Sequence, residues 1–362
     1  MKYLYKKGVR EVFSSQYRLA KSQKNMKVKA HHYNLEMEHP FGISRSVHSF
    51  QETFIVELQQ DGKRGYGEAT QNTYYGFSLQ NMQAKLDELQ SEIERYPFTT
   101  PNDFWDNFLY PKLKNFRFLM AAIDEAANDL YGKLLGKPLW QIWNYNIEHL
   151  PQSTYTIGID TIEVMQQKLI EKPWPIYKIK LGTAHDIEII KALRKITDSP
   201  FRIDANTGWT AEQTIENSKI LRDFGVEFIE QPMPYDAYEA MKEVKKHSVL
   251  PIIADESIRT ENDVQICAES FDGINVKLVK AGGITPARRM LSEARQLGIK
   301  TMLGCMTESS VGISAAAQLL PLCDYADLDG AILLKKDIAK GMQLKNGKII
   351  MPADAGTGVH LL

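Results

Sequence analysis

Short apolar runs alternate with amphipathic helical stretches between residues 151 and 330, and this alternation restricts the possible folds more than any other feature. The runs, in chain order, are YTIGI, YKIKLG, FRIDAN, FIEQP, IIADES, GINVKL, KTMLG and YADLDG. Strands that alternate with helices predict βαβ units and a parallel sheet. Eight units favour a (β/α)8 barrel over an open doubly wound sheet, which more often carries a glycine-rich first turn. Little helical sequence follows the eighth run, so we expect the barrel to be modified there.

Residues 26–150 have a different pattern, in which a sheet is followed by helices. Alternation across 26–70 predicts strands, with HPFG as a turn and Asp61-Gly62 as the loop of a hairpin. LQNMQAKLDELQSEIERY and FRFLMAAIDEAANDLYGKLLG have helical periodicity, and the second ends at Gly136, shortly before a proline. The sequence therefore predicts an α/β protein in which an α+β domain precedes the barrel.

Composition argues against several other classes of protein. The formal net charge is −1, whereas nucleic-acid binders carry a basic excess. No apolar run of about 18 residues occurs, so we expect no membrane partner and a cytoplasmic protein. The three cysteines are widely spaced and form no CxxC pair, which indicates neither a disulfide framework nor a zinc site. Residues 1–25 are basic and polar without the apolar core of a secretory signal, and we expect a disordered extension or a mis-assigned start before Met26.

Three consecutive runs end in a carboxylate, namely Asp204, Glu230 and Asp255. Barrel active sites lie at the carboxyl ends of the strands, and the spacing of about one βα unit puts these acids on adjacent strands. Three anions in a poorly solvated site would repel one another, and a divalent cation removes that conflict. An all-oxygen ligand set selects Mg²⁺ or Mn²⁺ over zinc. The alternative is that each acid pairs with a structural lysine or arginine.

Lysines flank this acidic cluster in the sequence. Lys178 and Lys180 lie two apart in the run before Asp204, so they point to the same face of a strand. Lys277 ends the run after Asp255 and would face them across the barrel mouth. A lysine that acts as a base near neutral pH needs a lowered pKa, which we expect the metal and Lys178 to supply. A substrate bound to the metal would then meet a lysine on each side.

The chain from about residue 26 onward resembles the muconate-lactonizing subgroup of the enolase superfamily. The matching segments are GYGEA (65–69), DEAANDLYGKLLGKPLW (124–140), KIK (178–180), DANTGW (204–209), EQP (230–232), ADES (254–257), NVKL (275–278) and a GxxxES variant at Gly304–Ser309. The resemblance implies a modified (β/α)8 TIM-like barrel at 151–330, an α+β capping domain at 26–150 and a C-terminal segment at 331–362 that completes the cap. It also implies removal of a proton α to a carboxylate beside one Mg²⁺ per subunit. We further expect a homo-oligomer.

The family pattern assigns roles to individual residues of this chain. The assigned residues are Lys180 and Lys277 as catalytic bases, Lys178 and Glu308 as supporting residues, and Asp204, Glu230 and Asp255 as metal ligands. Glu308 follows the seventh run and would support either Lys277 or the substrate.

The eighth run contains Asp327-Leu328-Asp329, which resembles the Asp-x-Asp of dipeptide epimerases such as the L-Ala-D/L-Glu epimerases. In those enzymes the two acids receive the α-ammonium group of the substrate, and residues two apart on a strand face the same way. We also expect Thr156, in the first run, to bind substrate. The function implied is a Mg²⁺-dependent dipeptide epimerase that inverts the α-carbon of the C-terminal residue. Two lysines would transfer the proton through a metal-stabilised enediolate.

One departure from the pattern bears on the preferred dipeptide. In epimerases that prefer L-Ala-L-Glu, an arginine after the Pro-Phe pair of the cap meets the glutamate side chain. Counting from Pro40-Phe41, the matching position is Ser46, with Arg45 one place earlier, and both are candidates for substrate binding. The sequence therefore does not favour Ala-Glu. Five residues in expected capping loops would instead favour hydrophobic or aromatic dipeptides: His39, His48, Tyr74, Tyr75 and Phe77.

Three other functions remain as alternatives. A muconate cycloisomerase or an o-succinylbenzoate synthase of the same subgroup would handle an anionic substrate, which Asp327 and Asp329 would repel. An acid-sugar dehydratase would need a His-Asp pairing at the sixth and seventh strand ends, which this sequence lacks. A catalytically inactive binding barrel would have no need to keep all the expected metal ligands and both lysines.

Overall fold

The computed structural model describes residues 25–43 and 46–362, so nearly all of the expected N-terminal extension lies outside the described residues. The first described part is a three-stranded antiparallel sheet in the order β1-β2-β3. Its strands are β1 (Lys27–Ile43), β2 (Ser46–Gln60) and β3 (Lys63–Thr70).

The turn between β2 and β3 is the hairpin that the sequence predicts. Asp61 and Gly62 have φ values of 49° and 78°, as a two-residue hairpin loop of the favoured type requires. The prediction for HPFG was wrong, because residues 39–42 continue β1 instead of forming a turn. The pairing of β1 with β2 changes register between Glu36 and Phe41, so an irregularity in the strand accounts for this turn-like sequence.

Helices follow this sheet in the chain, and the two longest of them pack against its strands. The helices are α1 (Leu79–Arg95), α2 (Pro101–Phe104), α3 (Tyr110–Leu113), α4 (Arg117–Leu135) and α5 (Leu139–Ile142), with a π-helical turn at Trp105–Leu109. Ser78 begins α1 with a capping box that it forms with Asn81. Gly136 ends α4 in the left-handed conformation, as the sequence predicts.

Two glycines of the GYGEA segment allow α4 to lie directly on β3. A Cβ at Gly67 would collide with the Ala122 carbonyl oxygen and lie 2.6 Å from the Ala126 amide nitrogen. A Cβ at Gly65 would collide with the Ala126 carbonyl oxygen. The small residues on both sides therefore set the distance between this helix and the sheet.

The second part of the chain is a sheet of eight parallel strands in chain order, β4 to β11. The strands are β4 (Tyr155–Ile157), β5 (Tyr177–Lys180), β6 (Phe201–Asp204), β7 (Val226–Glu230), β8 (Ile252–Ala254), β9 (Gly273–Val276), β10 (Lys300–Gly304) and β11 (Tyr325–Asp327). A parallel bridge between Ser153 and Ala326 brings the first and last strands together, so the sheet nearly closes into a barrel. Each strand overlaps one of the eight apolar runs, and the predicted barrel is confirmed.

Helices connect the barrel strands on the outside. They are α6 (Ile162–Glu171), α7 (Asp186–Arg194), α8 (Ala211–Asp223), α9 (Tyr238–His247), α10 (Val264–Ser270), α11 (Leu278–Ala281), α12 (Ile284–Gln296) and α13 (Ser310–Ala317). Short 3-10 turns lie at Glu261–Asp263, Leu320–Leu322 and Gly330–Leu333. Within the described ranges, no helix has both the length and the apolar character needed to cross a membrane.

The last strand of the barrel is followed by two short strand pairs instead of an α-helix, as expected. The strands are β12 (Ala339–Lys340), β13 (Gln343–Lys345), β14 (Lys348–Ile350) and β15 (His360–Leu361). Strand β12 pairs with β15, and β13 pairs with β14. Ala339 and Val359 pack in one cluster with Ile55 of β2 and Val311 of α13, so this segment contacts both the first sheet and the barrel.

Acidic side chains of α4 attach the first sheet to the barrel and to the C-terminal segment. Asp124 accepts hydrogen bonds from the Thr285 amide at 2.8 Å and the Thr285 hydroxyl at 2.7 Å. Asp129 accepts from the amides of Tyr66 at 2.9 Å and Thr357 at 2.8 Å. The DEAAND sequence therefore serves as a set of buried connectors, which keeps the sheet over the mouth of the barrel.

We predict that Gly67→Ala lowers the free energy of unfolding by about 2 kcal/mol or more, because its Cβ would overlap the backbone of α4. Urea denaturation followed by circular dichroism measures the change. Lys63→Ala, at an exposed position of the same strand, is the control and should change stability by less than about 0.5 kcal/mol. Equal stability of Gly67→Ala and the unmodified protein would contradict this account of the helix–sheet contact.

Candidate active site

A cavity of about 590 Å³ lies between the carboxyl ends of the barrel strands and the first sheet. Lys178, Lys180 and Lys277 line it together with Asp255 and several residues of the first sheet. Strand ends are where barrel enzymes place their chemistry, so this is the candidate active site.

Three carboxylates converge beside this cavity, and one of them, Asp255, lines it. Asp204 and Glu230 end β6 and β7, and Asp255 directly follows β8. One oxygen from each can be chosen so that all three lie within 4.8 Å of one another, and all three residues are buried. These residues form a group that could hold a metal ion.

Hydrogen bonds hold the carboxylates in orientations that suit a cation. Asn275 Nδ2 donates to Glu230 Oε1 at 2.8 Å, and the Asn206 amide donates to Asp204 Oδ1 at 3.0 Å. Glu230 Oε2 accepts no hydrogen bond within the described part of the chain, although Lys178 Nζ lies 2.8 Å away. A buried carboxylate oxygen without a hydrogen bond fits a metal ligand, so the residues present match a hard divalent cation.

Lys178 supplies the central positive charge of the site. Its Nζ lies 3.0 Å from Asp204 Oδ2, 2.8 Å from Glu230 Oε2 and 2.8 Å from Asp327 Oδ2. Burial disfavours its charged form, but the carboxylates around it, Asp204 first, raise the pKa of Lys178 well above its usual value. Its ion pairs with Asp204, Glu230 and Asp327 join the acidic triad to the end of β11.

The two expected catalytic lysines each contact a different acid of the triad. Lys180 Nζ lies 2.6 Å from Asp204 Oδ2, and Lys277 Nζ lies 2.9 Å from Asp255 Oδ2. Burial lowers the pKa of Lys277, but the adjacent Asp255 outweighs it and the net shift is upward. The expected lowering of the pKa of Lys277 therefore does not arise from the protein groups alone, because an anion lies next to the ammonium group.

The charge balance of the triad follows from these lysines. Burial alone would raise the pKa of Asp204, but Lys178 and Lys180 lower it. For Glu230, burial and the charge of Asp204 raise the pKa to about 7. Among the three acids, the negative charge of Glu230 is thus the least compensated by protein cations. A metal ion would supply the missing positive charge.

Lys280 is a member of the site that the sequence analysis missed. Its Nζ donates to the carboxylate and to the backbone carbonyl of Asp255, and the residue is 1% exposed. Burial lowers the pKa of Lys280. Lys277 directly precedes helix α11 and Lys280 lies within it, and both side chains contact Asp255, so the second lysine, just after the sixth run, was the available signal.

Asp327 and Asp329 both line the cavity, but their surroundings differ. Asp327 Oδ2 pairs with Lys178, and its Oδ1 accepts from the Thr154 hydroxyl at 2.5 Å. Asp329 Oδ2 accepts from the Thr156 amide at 2.6 Å. Burial and the charge of Asp327 raise the pKa of Asp329 to about 7. The negative charge of Asp329 is therefore less compensated than that of Asp327. Thr154, like Lys280, is a residue of the site that the sequence analysis did not identify.

Glu308 lies in a cluster of buried carboxyl groups between the first sheet and the barrel. Its Oε1 accepts from the Met306 amide at 2.9 Å, and the side chain flanks Gly312 together with Glu68. Glu68 accepts from the Ser309 hydroxyl at 2.6 Å. Burial and the charge of Glu68 raise the pKa of Glu308 to about 8. Glu308 thus lies among acids, and Lys277 affects it only as a weaker, opposing charge.

The residues expected in capping loops are only partly brought to the cavity. His48, Tyr74 and Tyr75 line it. The expectation for Phe77 was wrong, because its ring stacks on Phe118 at 4.6 Å inside the core. His39 lines a separate small pocket, which shares Thr156 and Leu333 with the main cavity. Arg45 and the side chain of Ser46 lie outside the described residues.

Fold and site together define a barrel enzyme of the enolase superfamily. Residues 160–362 match the family described as enolase C-terminal domain-like, and residues 25–143 match the mandelate racemase/muconate lactonizing enzyme N-terminal domain. The chain belongs to this mandelate racemase/muconate lactonizing enzyme family, and the resemblance read from the sequence is confirmed.

Its relatives include several epimerases. The chain is 54% identical over 337 residues to a protein of Flavobacterium johnsoniae named L-Ala-D/L-amino acid epimerase, covering 93% of this chain and 100% of the relative. It is 38% identical to the L-Ala-D/L-Glu epimerase of Bacteroides thetaiotaomicron, covering 92% and 88%. A dipeptide epimerase from Enterococcus faecalis, solved with Mg and the dipeptide L-Leu-L-Tyr, superposes with a TM-score of 0.86 at 29% identity, covering 93% and 99%.

We predict that Glu308→Gln changes the pH dependence of stability. The pKa of Glu308 is raised to about 8 in the folded chain, so its contribution is fully present below the unfolded pKa of about 4.3 and is lost as the pH rises through 8. The free energy of unfolding of the unmodified protein should therefore fall relative to that of Glu308→Gln by about 1–4 kcal/mol between pH 5 and pH 9. Denaturant titrations at several pH values measure this difference, and the exposed Glu163→Gln serves as control. A constant difference across this range would contradict the assignment.

Proposed function

We propose that this protein is a Mg²⁺-dependent dipeptide epimerase that inverts the α-carbon of the C-terminal residue by proton transfer between Lys180 and Lys277. The observation that carries the proposal is the pairing of each lysine with a different acid of the triad, within one cavity that also contains Asp327 and Asp329. Relatives at up to 54% identity that are named as epimerases support it.

The charges of the cavity suit the two ends of a dipeptide. The substrate carboxylate would bind beside the triad, where Asp204, Glu230 and Asp255 would hold Mg²⁺. The substrate ammonium would bind near Asp329 and Asp327, of which Asp329 has the charge less compensated by the protein. An anionic substrate of a cycloisomerase or a succinylbenzoate synthase would meet the same two acids, so these functions fit the cavity less well.

The two lysines can reach opposite faces of a bound α-carbon. Lys180 ends β5 and Lys277 follows β9, and three strands separate β5 from β9 on one side of the nearly closed barrel. In its neutral form, one lysine would remove the α-proton, and the other, protonated, would deliver a proton to the opposite face. A bound Mg²⁺ would supply positive charge that offsets the negative charge developing on the substrate carboxylate. It would also weaken the attraction of Asp204 for Lys180 and of Asp255 for Lys277.

Lys178 and the threonines of β4 would hold the reacting groups in place. Lys178 keeps Asp204 and Asp327 in fixed positions, and so fixes the distance between the carboxylate end and the ammonium end of the site. The Thr156 amide orients Asp329. Preorganised charges of this kind supply most of the stabilisation in proton transfer next to a carboxylate.

We predict that Lys180→Ala and Lys277→Ala each reduce epimerisation of an accepted dipeptide by at least about 1000-fold, since each removes one of the two proton-transferring groups. The remaining lysine should still exchange the α-hydrogen of one epimer, and the two variants should differ in which epimer exchanges. Chiral chromatography and proton NMR in D₂O measure inversion and exchange. Lys191→Ala, at an exposed position, is the control. Inversion at an unchanged rate by either variant would exclude the two-base mechanism.

Metal binding should stabilise the folded protein independently of catalysis. After treatment with EDTA, Mg²⁺ at one hundred times its Kd should raise the free energy of unfolding by about 2.7 kcal/mol. Asp255→Asn should remove this stabilisation, whereas Asp236→Asn, at an exposed position, should keep it. Thermal denaturation with and without Mg²⁺ makes the comparison. If Mg²⁺ stabilised Asp255→Asn as much as the unmodified protein, the triad would not be the metal site.

A further inference from the structure

Gln231 is a buried side chain that connects the loops after β7 and β8. It directly follows Glu230 and is 0% exposed. Its Nε2 donates to the Met233 carbonyl oxygen and to the Ser257 hydroxyl, both at 2.9 Å. Its Oε1 accepts from the amides of Asp255 at 2.9 Å and Ser257 at 3.1 Å. Both donors and both acceptor positions of this amide group are therefore paired, which holds the side chain in one orientation.

The backbone of Asp255 is attached to β7 through this side chain. Strand β8 ends at Ala254, so Asp255 lies one residue beyond it. The Gln231 amide donates to the Ile253 carbonyl oxygen at 2.9 Å, as in a regular parallel pair. In such a pair the Asp255 amide would then donate to the backbone carbonyl of Gln231, but it donates to the side-chain Oε1 instead. The side chain thus replaces the last backbone hydrogen bond between the two strands.

The backbone carbonyl of Gln231 has a different partner, in the loop after β6. It accepts from the Thr207 amide at 2.8 Å. Gln231 and Thr207 have φ values of 35° and 66°, and they are the only residues of positive φ in the described ranges besides glycine, asparagine and aspartate. Such backbone strain persists only where surrounding contacts hold it, and it is concentrated at functional sites. Gln231 therefore connects the ends of all three strands that carry the acidic triad.

Two lysines also contact Asp255, but both of them carry charge. Lys277 Nζ lies 2.9 Å from Asp255 Oδ2, and Lys280 contacts both the carboxylate and the carbonyl oxygen of Asp255. Replacing either lysine would change the charge of the site together with its geometry. Gln231 is neutral and holds the backbone from which the carboxylate extends, so its effect on a bound cation is one of geometry.

From these contacts we infer that Gln231 is a positioning residue, which fixes Asp255 relative to Glu230 and so gives the triad a preference for Mg²⁺ over larger divalent cations. This inference rests on the proposed function, in which the triad holds Mg²⁺. Mg²⁺ requires oxygen ligands at about 2.0–2.1 Å in near-octahedral geometry, whereas Ca²⁺ accepts about 2.3–2.6 Å and variable coordination. Acids held at fixed positions can discriminate between the two ions, whereas acids that can move apart would accept both.

Calorimetric titration of the metal-free protein with Mg²⁺ and with Ca²⁺ tests this role. Gln231→Met keeps the approximate size of the side chain and removes its four hydrogen bonds. We expect the Kd for Mg²⁺ to rise by about 10- to 100-fold, as when other residues that orient metal ligands are replaced. The Kd for Ca²⁺ should rise by less than about threefold, because Ca²⁺ tolerates displaced ligands. The preference for Mg²⁺ over Ca²⁺ should therefore fall.

Gln318→Met is the matched control, because Gln318 is also 0% exposed and bonded through both ends of its amide group. Its Oε1 accepts from the Trp140 amide, and its Nε2 donates to the carbonyl oxygens of Ser314 and Thr357. These partners belong to α5, α13 and the C-terminal segment. Thermal denaturation of the metal-free variants should show that both substitutions destabilise the fold, but Gln318→Met should leave both Kd values unchanged.

Ser257→Ala decides the question if Gln231→Met does not fold. It removes one hydrogen bond of Gln231, and the preference for Mg²⁺ should fall by about threefold, as expected for the loss of one hydrogen bond. An unchanged preference in a folded variant, or equal weakening of Mg²⁺ and Ca²⁺ binding, would overturn the role of Gln231 and leave the proposed function intact. Failure of the unmodified protein to bind Mg²⁺ would instead refute the proposed function itself.

Discussion

Burial of like charges at the mouth of the barrel is the constraint on which the rest of this structure depends. Asp204, Glu230 and Asp255 are removed from water at adjacent strand ends, and isolated buried carboxylates cost several kcal/mol each. Lys178 contacts two of them, and the residual imbalance falls on Glu230, whose second oxygen accepts no hydrogen bond in the described part of the chain. This excess of negative charge raises the free energy of the site when no cation is bound, and it also favours the binding of a cation.

The barrel alone would leave this cluster open to water. Two hydrogen-bonded contacts keep the first sheet over the mouth. Asp124 of α4 accepts from Thr285 at the start of α12, and Glu68 of β3 accepts from Ser309 at the start of α13. The sheet then forms one wall of the cavity with Thr70 and Tyr75. A low dielectric around the lysines and acids strengthens each of their interactions, so the packing of GYGEA on α4 contributes directly to the chemistry of the site.

Much of this arrangement could be predicted from local sequence. The period of the apolar runs predicts eight strands. A polar residue at the end of such a run is expected at the barrel mouth, and this is why Asp204, Glu230 and Lys277 were identifiable. Roles that depend on contacts between residues far apart in the sequence could not be identified in this way. The side chain of Asn275 donates a hydrogen bond to Glu230, which lies 45 residues earlier in the chain. The spacing of the residues around Asn275 does not indicate this contact. The direction of the pKa shift of Lys277 also depended on an ion-pair distance that periodicity cannot supply.

The central claim is that the cavity moves a proton at the α-carbon of a dipeptide, and hydrogen isotopes report this most directly. The unmodified protein, loaded with Mg²⁺, is incubated with a library of L-Ala-L-X dipeptides in D₂O, and the products are analysed by mass spectrometry after chiral separation. The account predicts inverted dipeptides that carry one deuterium at the α-carbon of the C-terminal residue. Inverted product that keeps its original hydrogen, or a library in which no dipeptide gains deuterium, would contradict it.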